Sequence, residues 1–474
     1  MEQKETNATA PAAPKVSLAK SIFVFAFLIV SITFIVLIKG GPISFVMMLG
    51  AVVAAAVAIS CGYKYKVLET AVLDSIRGIS FACVIYMVIG ILMGAWIVGG
   101  IIPSMIYYGL KLINVKFFFA TSMVICSVFS VSTGSSWSTV GTVGIALLGV
   151  GTGLGVPLPM VAGCIVSGAY FGDKLSPISD TTNIAASASG TDVFTHMRHM
   201  LHTTLPAYLI AFVLYLFLGF KYSGQAGQSE SVQLFMETLN ANFVISPWLI
   251  LPVLMIILVI VFKIPAIPGL LLTGFIGMLC AAIVQKVGII DIMKACYSGV
   301  SMDTGVAEIN RLVNRGGMTS MLSTICLLLA SCCFTGVIRA SGMLSNIVNV
   351  LMGKAKKDNQ IVLTTQATAF FNNCATGDSN VAILLTASMY HDFYKEKGLH
   401  PKNLSRACED MCTMTSSLIP WATSAAYISG ALGIASTTYL PYVWFNLTSI
   451  VLAIIVAAIG KDIPHIKEGE AVEA

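Results

Sequence analysis

The chain has 474 residues, of which 57% are apolar and 10% are charged, and its mean hydropathy is +0.87. Soluble domains carry about 25% charged residues, so this composition excludes the soluble classes and predicts an all-α, polytopic protein of the lipid bilayer. Apolar runs such as 21–38 are also too long for an outer-membrane barrel, whose strands need about 10 alternating residues. The net charge of +5 gives no reason to expect a nucleic-acid partner.

The apolar runs predict ten membrane-spanning segments in two sets of five. An α-helix needs about 20 mostly apolar residues to cross a bilayer. The polar residues 1–19 are expected to form a disordered cytoplasmic tail. The first set is predicted at 20–38, 42–61, 80–112, 157–188 and 200–220. A connecting loop is predicted at 221–245. The second set is predicted at 246–263, 266–285, 319–352, 403–430 and 437–460, and a cytoplasmic tail follows at 461–474.

Two further segments, 117–150 and 361–392, are interpreted as re-entrant hairpins. Each has two apolar arms, of roughly 15 residues, around a polar tip, and such arms are too short to cross a bilayer comfortably. The tips read STGSSW at 132–137 and ATGDSN at 375–380. Irregular backbone survives at membrane depth only where protein buries it or where it lines a watery cavity.

The distribution of positive charge predicts the orientation in the membrane. If the hairpins are not counted as crossings, both termini lie on the same side. The loops and tails on that side carry twice as many Lys and Arg residues as those on the other. The positive-inside rule therefore places both termini in the cytoplasm and the protein in the cell membrane.

The two halves of the chain resemble each other. At an offset of 243 positions, identical residues are Thr133 and Thr376, Gly134 and Gly377, Ser136 and Ser379, and Pro177 and Pro420. Five spans per half is an odd number, so the repeat at 246–460 would be inverted relative to the repeat at 20–220. Inverted repeats with broken helices near the midplane are typical of secondary transporters.

Four polar breaks, two hairpin tips and two spans interrupted by Pro177 and Pro420, carry the candidate binding residues. Hydroxyl, carbonyl and carboxylate oxygens are hard ligands that suit alkali cations. The candidates are, in chain order, Ser132, Thr133, Ser135, Ser136, Asp173, Ser176, Ser179, Asp180, Thr181, Thr182, Asn373, Thr376, Asp378, Ser379, Asn380, Ser416 and Ser417. The alternative is a set of helix kinks in which the serines cap freed backbone groups.

The carboxylates in these breaks favour a functional interpretation, because a charge inside a bilayer is costly. Asp173 and Asp180 are seven positions apart, which is about two turns on an unbroken helix and would place them on one face. Asp378 falls opposite Ser135 in the repeat register, so the two related sites differ in charge and are expected to bind unequally. Alternatively, 172–183 is an interfacial loop.

The stretch GAYFGDKLSPISDTTN at 168–183 resembles the signature of the NhaC family of sodium–proton antiporters. The two tips and the matching SSLIPW resemble the paired hairpins and broken helices of the wider ion-transporter superfamily, and the likeness covers nearly the whole chain. It implies Na⁺ efflux against H⁺ entry and points to the residues of 173–182 and to both tips. Relatives in that superfamily exchange malate and protons for sodium and lactate. Only the resemblance suggests a homodimer.

We therefore predict a sodium–proton antiporter, not an enzyme, in which the two ions compete for shared carboxylates and no cofactor is needed. The carboxylates expected to couple the ions are Asp173 and Asp180 first and Asp378 next, with Na⁺ held by Asp173, Asp180, Ser135 and Ser136. The alternative is a sodium- or proton-coupled exchanger of a small carboxylate such as malate or lactate, or an amino-acid transporter of the same fold. Lys174 or Arg339 would then add positive charge.

Other titratable residues carry weaker predictions. Arg406, Glu409 and Asp410 lie at helical spacing and are interpreted as a self-paired surface cluster; the alternative is a proton-relay carboxylate deeper in the membrane. Arg339 is expected to form a structural ion pair. His196, His199 and His202 are interpreted as an ordinary wet helix end, with a pH sensor as the alternative.

Overall fold

A computed structural model describes residues 16–222, 229–262, 264–352 and 355–466, and these ranges are built from helices. The only β-type pairing within them is an isolated bridge between Leu399 and His465. Most of the predicted N-terminal tail (1–15) and the end of the predicted C-terminal tail (467–474) lie outside the described residues.

Residues 16–222, the described part of the first half of the chain, form ten α-helices. They are α1 (Leu18–Ser31), α2 (Ile43–Ser60), α3 (Tyr65–Val98), α4 (Ile101–Leu112), α5 (Phe118–Thr133), α6 (Ser136–Thr139), α7 (Ile145–Gly153), α8 (Leu158–Leu175), α9 (Asp180–Ser189) and α10 (Val193–Tyr222). A π-helical segment at Ile32–Ile38 extends α1, and a second π-helical segment at Val140–Gly144 joins α6 to α7. A 3₁₀ turn at Val115–Phe117 precedes α5.

The second half continues the helical pattern. Its helices are α11 (Ser229–Asn242), α12 (Leu251–Val261), α13 (Ala266–Ile283), α14 (Ile289–Ser298), α15 (Ala307–Val313), α16 (Leu322–Ala340), α17 (Met343–Met352), α18 (Asp358–Thr376), α19 (Ser379–Glu396), α20 (Pro401–Ser416), α21 (Thr423–Leu432), α22 (Ser436–Tyr439) and α23 (Trp444–Ile459). Short 3₁₀ turns, Pro247–Ile250, Met318–Met321 and Leu440–Tyr442, precede α12, α16 and α23.

Six helical segments of the described residues are long and apolar enough to cross a membrane, and two bent helix pairs raise the number to eight. The six are Leu18–Val36, Ile43–Ser60, Tyr65–Val98, Val115–Thr133, Val193–Tyr222 and Met318–Ala340. One face of α10 exposes Leu209, Val213 and Phe217 while Ala211 and Tyr215 on the other face are buried. An apolar outer stripe of this kind is typical of a helix in lipid. The protein is a multi-pass membrane protein.

Several predicted boundaries are wrong. The predicted span 80–112 is two helices, because α3 begins at Tyr65 and the chain turns at Gly100, whose φ is +75°. The charged residues of 65–79 lower the local hydropathy, so hydropathy alone does not detect the start of this helix. Straight-chain charged residues nevertheless form helices well. The predicted connecting loop 221–245 contains α11. The segment Val115–Thr133, which contains the first arm of the predicted hairpin, is 19 residues long and is apolar enough to cross a membrane by itself.

Helix boundaries repeat at the offset predicted from the sequence. The segments Val115–Thr133, Ser136–Gly153 and Asp180–Ser189 recur 243 positions later as Asp358–Thr376, Ser379–Glu396 and Thr423–Leu432. The break between α3 and α4 recurs 242 positions later between α16 and α17. The repeat therefore extends from single residues to the ends of helices, while the inverted orientation of the second copy stays a prediction.

Helix α20 lies at the centre of one half of the molecule, packed by α9, α18, α19 and α23. Every residue from Asn403 to Ser416 is buried, although the helix carries Arg406, Glu409 and Asp410. Charged residues are almost never fully buried unless they are paired, so the partners of these three residues shape the site described next.

Candidate functional site

All four polar breaks open onto one cavity of about 460 Å³. Both tips and both interrupted spans contribute to its wall. The predicted residues that line it are Ser135, Ser136, Asp173, Asp180, Thr181, Thr376, Asp378, Ser379, Asn380 and Ser416. With Asp74, which the prediction did not include, the cavity is ringed by hydroxyl groups, the Asn380 amide and four carboxyl groups.

Asp173 joins the first tip to the second break. Its Oδ2 accepts a hydrogen bond of 2.6 Å from Ser136 Oγ, and its Oδ1 accepts one of 2.7 Å from Ser179 Oγ. Asp173 is half-buried near the end of α8, and Ser136 begins α6. Two hydroxyl donors on one carboxyl group stabilise its charged form and fix it at the cavity wall.

Asp180 lines the same cavity but is exposed. The prediction that Asp173 and Asp180 share one face of an unbroken helix is wrong, because α8 ends at Leu175 and α9 begins at Asp180. The break still turns both carboxyl groups toward the cavity.

The two tips are the same local motif. Gly134 and Gly377 both adopt the left-handed conformation, with φ of +67° and +65°. Each is followed by a helix-capping residue: Ser135 Oγ accepts from the backbone N–H of Ser138 at 3.2 Å, and Asp378 Oδ1 accepts from those of Asn380 and Val381 at 3.0 and 3.1 Å. A carboxylate is favoured at a helix N-terminus. Asp378 is therefore engaged as a cap, unlike Asp173.

Gly134 also lies against the second break. A Cβ at this position would come within 2.9 Å of the Ile178 carbonyl carbon, whereas a Cβ at Gly377 would have no neighbour closer than 3.6 Å. Real Cβ atoms essentially never approach backbone atoms as closely as the first distance. The close contact between the first tip and the second break therefore requires glycine.

Gly134→Ala is expected to reduce transport more than the matched Gly377→Ala. Both variants lose about 1–2 kcal/mol through the left-handed backbone, but only Gly134→Ala also pushes the tip away from Ile178 and lengthens the bond between Ser136 and Asp173. Melting temperatures and ion-exchange rates of the two purified proteins provide the measurement. Equal losses in both variants would contradict the role given to this contact.

Three aromatic side chains tie the first tip to the fourth break. Trp137 stacks on Tyr427 at 4.9 Å between ring centroids, and Tyr86 stacks on the same ring at 5.5 Å. The Tyr427 hydroxyl donates to the backbone carbonyl of Trp137 at 2.7 Å, and Tyr86 donates to that of Thr423 at 2.6 Å. These contacts form an apolar wall beside the carboxyl groups. Trp137, Tyr427 and Tyr170, which lies one turn before Asp173, line the cavity, and the prediction missed all three.

Several predicted binding residues hold the breaks together and do not line the cavity. Ser132 is exposed and donates to the Val128 carbonyl, Ser176 donates to the Val131 carbonyl, and Asn373 donates to the Cys412 carbonyl. Thr133, Ser179, Thr182 and Ser417 likewise bond to their surroundings. These side chains fit the alternative interpretation of helix kinks, in which polar side chains satisfy the hydrogen-bonding groups that the breaks leave without partners.

Behind the cavity wall, Lys174 forms a fully buried ion pair with Asp410. The Lys174 ammonium also donates to Ser449 Oγ at 2.9 Å, and Thr203 Oγ1 donates to Asp410 Oδ2 at 3.3 Å. A buried ion pair persists only when its remaining donors and acceptors are satisfied. Lys174 is therefore a counter-charge for Asp410 and has no free charge to offer to the cavity.

The predicted surface cluster of Arg406, Glu409 and Asp410 is wrong, because all three side chains are buried. Arg406 pairs with Asp462, just beyond the last helix, and Glu409 Oε1 lies at hydrogen-bond distance, 3.0 Å, from Thr181 Oγ1. Hydropathy reading places charges at the surface because it cannot see partners that are distant in sequence.

Two other predictions for charged residues also fail. The predicted structural ion pair of Arg339 is absent within the described ranges, where no acid pairs with this residue, and Arg339 is exposed among the residues that line the cavity. The predicted wet helix end is wrong for His196 and His199, which are buried. His196 Nδ1 lies 2.8 Å from Ser405 Oγ.

Comparison with known proteins identifies the family. Residues 168–461 match the Na⁺/H⁺ antiporter family. The chain is 37% identical to the malate-2H⁺/Na⁺-lactate antiporter of Bacillus subtilis, over 90% of this chain and 91% of that protein. It is 34% identical to the Na⁺/H⁺ antiporter NhaC of Alkalihalophilus pseudofirmus (83% and 85%) and 30% identical to the arginine/ornithine antiporter ArcD of Halobacterium salinarum (84% and 83%). The chain therefore belongs to the Na⁺/H⁺ antiporter family.

Proposed function

We propose that this protein exchanges Na⁺ for H⁺ across the cell membrane, with both ions competing for Asp173. The observation that carries the proposal is the position of this carboxyl group, held by two hydroxyl donors in a cavity where all four breaks meet. Na⁺ would be bound by Asp173, with Ser135, Ser136 and Asp180 supplying further oxygens from the same wall. A proton on Asp173 removes the charge that attracts Na⁺, so one site serves either ion.

The helix ends around the cavity support a cation site. Helices α5, α8, α18 and α20 end at Thr133, Leu175, Thr376 and Ser416, so the last carbonyl groups of each are left without intrahelical partners. These C-terminal ends also carry partial negative charge. Broken helices supply cation ligands in this way in other secondary transporters. Both termini are proposed to lie in the cytoplasm, from the positive-inside bias.

The test uses purified protein in liposomes that contain a pH-sensitive dye. Addition of Na⁺ alone to one side should move protons toward that side. If proton movement required malate, lactate, arginine or ornithine in addition to Na⁺, the simple antiporter would be excluded.

A second candidate is coupled exchange of a small organic anion, favoured by Arg339. Its guanidinium is exposed at the cavity rim and has no acidic partner among the described residues. Arginine binds carboxylates with two parallel hydrogen bonds. Two of the relatives are named for organic substrates, which agrees with this reading.

Arg339→Gln separates the two candidates. If the cargo includes an organic anion, the variant should raise the half-saturating concentration of that anion at least tenfold, because a charged hydrogen-bond pair contributes about 1.5–3 kcal/mol. Exchange of Na⁺ for H⁺ without an anion should change little. Arg311→Gln, an exposed arginine on α15 outside the cavity wall, is the matched control. Identical anion dependence in the wild type and Arg339→Gln would remove this role.

A further inference from the structure

A line of four oxygen atoms leads from the cavity into the protein. Ser179 Oγ lies 2.7 Å from Asp173 Oδ1 and 3.1 Å from Thr181 Oγ1, and Thr181 Oγ1 lies 3.0 Å from Glu409 Oε1. Asp173 and Thr181 line the cavity, whereas Glu409 lies behind its wall and is fully buried. The line therefore joins the carboxyl group of the proposed ion site to a second one that the cavity does not reach.

The hydrogen count of this line is informative. Three oxygen–oxygen contacts at hydrogen-bond distance require three hydrogen atoms. The hydroxyl groups of Ser179 and Thr181 carry one each, and an ionised carboxylate carries none. The third hydrogen must therefore belong to Asp173 or Glu409. With both carboxyl groups ionised, one of the three contacts would be a repulsion between two oxygen atoms.

Burial and charge assign that hydrogen to Glu409 when Asp173 is ionised. The charged groups that face Glu409 from the neighbouring α8 are Asp173 and Lys174, and Lys174 is already bonded to Asp410. The hydroxyl group of Thr413, one turn further along α20, also faces Glu409, but the second carboxyl oxygen, Oε2, makes no hydrogen bond within the described residues. An ionised carboxylate buried with one hydrogen bond and no cation of its own is costly, whereas Asp173 has two hydroxyl donors and faces the cavity.

We propose that Glu409 is a positioning residue that keeps a proton and orients the line toward Asp173. Glu409 donates to Thr181, Thr181 donates to Ser179, and Ser179 donates to Asp173, so that all three hydrogen bonds exist together. The Ser179 hydroxyl hydrogen then points at Asp173 in the state that binds Na⁺. This inference rests on the proposed function, because it concerns the same carboxylate.

The experiment measures ²²Na⁺ binding to the purified full-length protein at fixed pH. Thr181→Val and Glu409→Leu remove the middle and the far end of the line. Each should raise the half-saturating Na⁺ concentration roughly tenfold to a hundredfold, the value of one hydrogen bond to a charged group. Thr181→Ser retains the hydroxyl, and Glu409→Gln retains a donor in its amide N–H. Both conservative variants should stay within about threefold of the wild type, a rescue that a merely space-filling role would not produce.

Cys408→Ser, fully buried on the same helix, controls for disturbance of α20, and melting temperatures identify variants that fail to fold. If Glu409→Gln binds Na⁺ as poorly as Glu409→Leu, or if Thr181→Val binds it normally, the positioning role is overturned. Absence of Na⁺ binding to the wild type would instead overturn the proposed function and this inference with it.

Discussion

The Asp173→Asn protein is expected to lose Na⁺-driven proton movement in liposomes while it remains folded. Asparagine keeps the shape of the side chain and one acceptor oxygen for Ser136 or Ser179, but it carries no charge and cannot release a proton. A single charge 4 Å away contributes about 4 kcal/mol at an effective dielectric constant of 20. Because each 1.4 kcal/mol is a factor of ten in affinity, Na⁺ binding should weaken roughly a thousandfold.

Dye fluorescence after a Na⁺ jump measures the exchange, and ²²Na⁺ binding measures the affinity separately. Asp291→Asn is the matched control, because Asp291 is an exposed partner of Lys294 outside the cavity wall. Exchange near the wild-type rate in Asp173→Asn would remove Asp173 from the ion site. If Asp180→Asn alone abolished exchange, the role would pass to Asp180.

Asp410→Asn is expected to destabilise the fold more than any surface change. The substitution leaves the Lys174 ammonium buried with only a neutral partner, and an uncompensated buried charge costs about 3–5 kcal/mol. The midpoint of thermal unfolding in detergent should fall accordingly. In contrast, Asp291→Asn breaks an exposed pair with Lys294, and such pairs contribute about 0–1 kcal/mol.

The paired variant Lys174→Met with Asp410→Leu tests the cause. Replacement of both charges by apolar side chains of similar size is often neutral or stabilising, so the double variant should recover most of the lost stability. If Asp410→Asn alone melted at the wild-type temperature, the ion pair would not be a structural element. If the double variant transported ions normally, neither residue would take part in exchange.

The breaks and tips were predictable from the sequence because their causes are local. Glycine is needed for the left-handed turns at positions 134 and 377, proline interrupts the two broken spans, and small hydroxyl residues cap the helix ends. Local chemistry of this kind also made the repeat offset visible before the helix boundaries were known. It did not show which hydroxyl groups turn away from the cavity, because that depends on helix faces and neighbours.

The interior of α20 was not predictable in the same way. Lys174 and Asp410 are 236 positions apart, and nothing near either residue in the sequence indicates the other. Arg406 and Asp462 pose the same problem. Hydropathy assigns isolated charges to the surface, so the predicted span at 403–430 was found but its three charged side chains were wrongly placed at the surface. The first turns of α3 were not predicted because their charged residues lower the local hydropathy.

The two tips have the same backbone conformation but differ in charge. Each tip offers one capping position, occupied by Ser135 in the first and Asp378 in the second, and serine and aspartate both satisfy a helix start. A single substitution there can alter the cavity by one whole unit of charge without a new scaffold. Transporters of this fold can thus evolve to carry substrates of different charge by substitution of the capping residue alone.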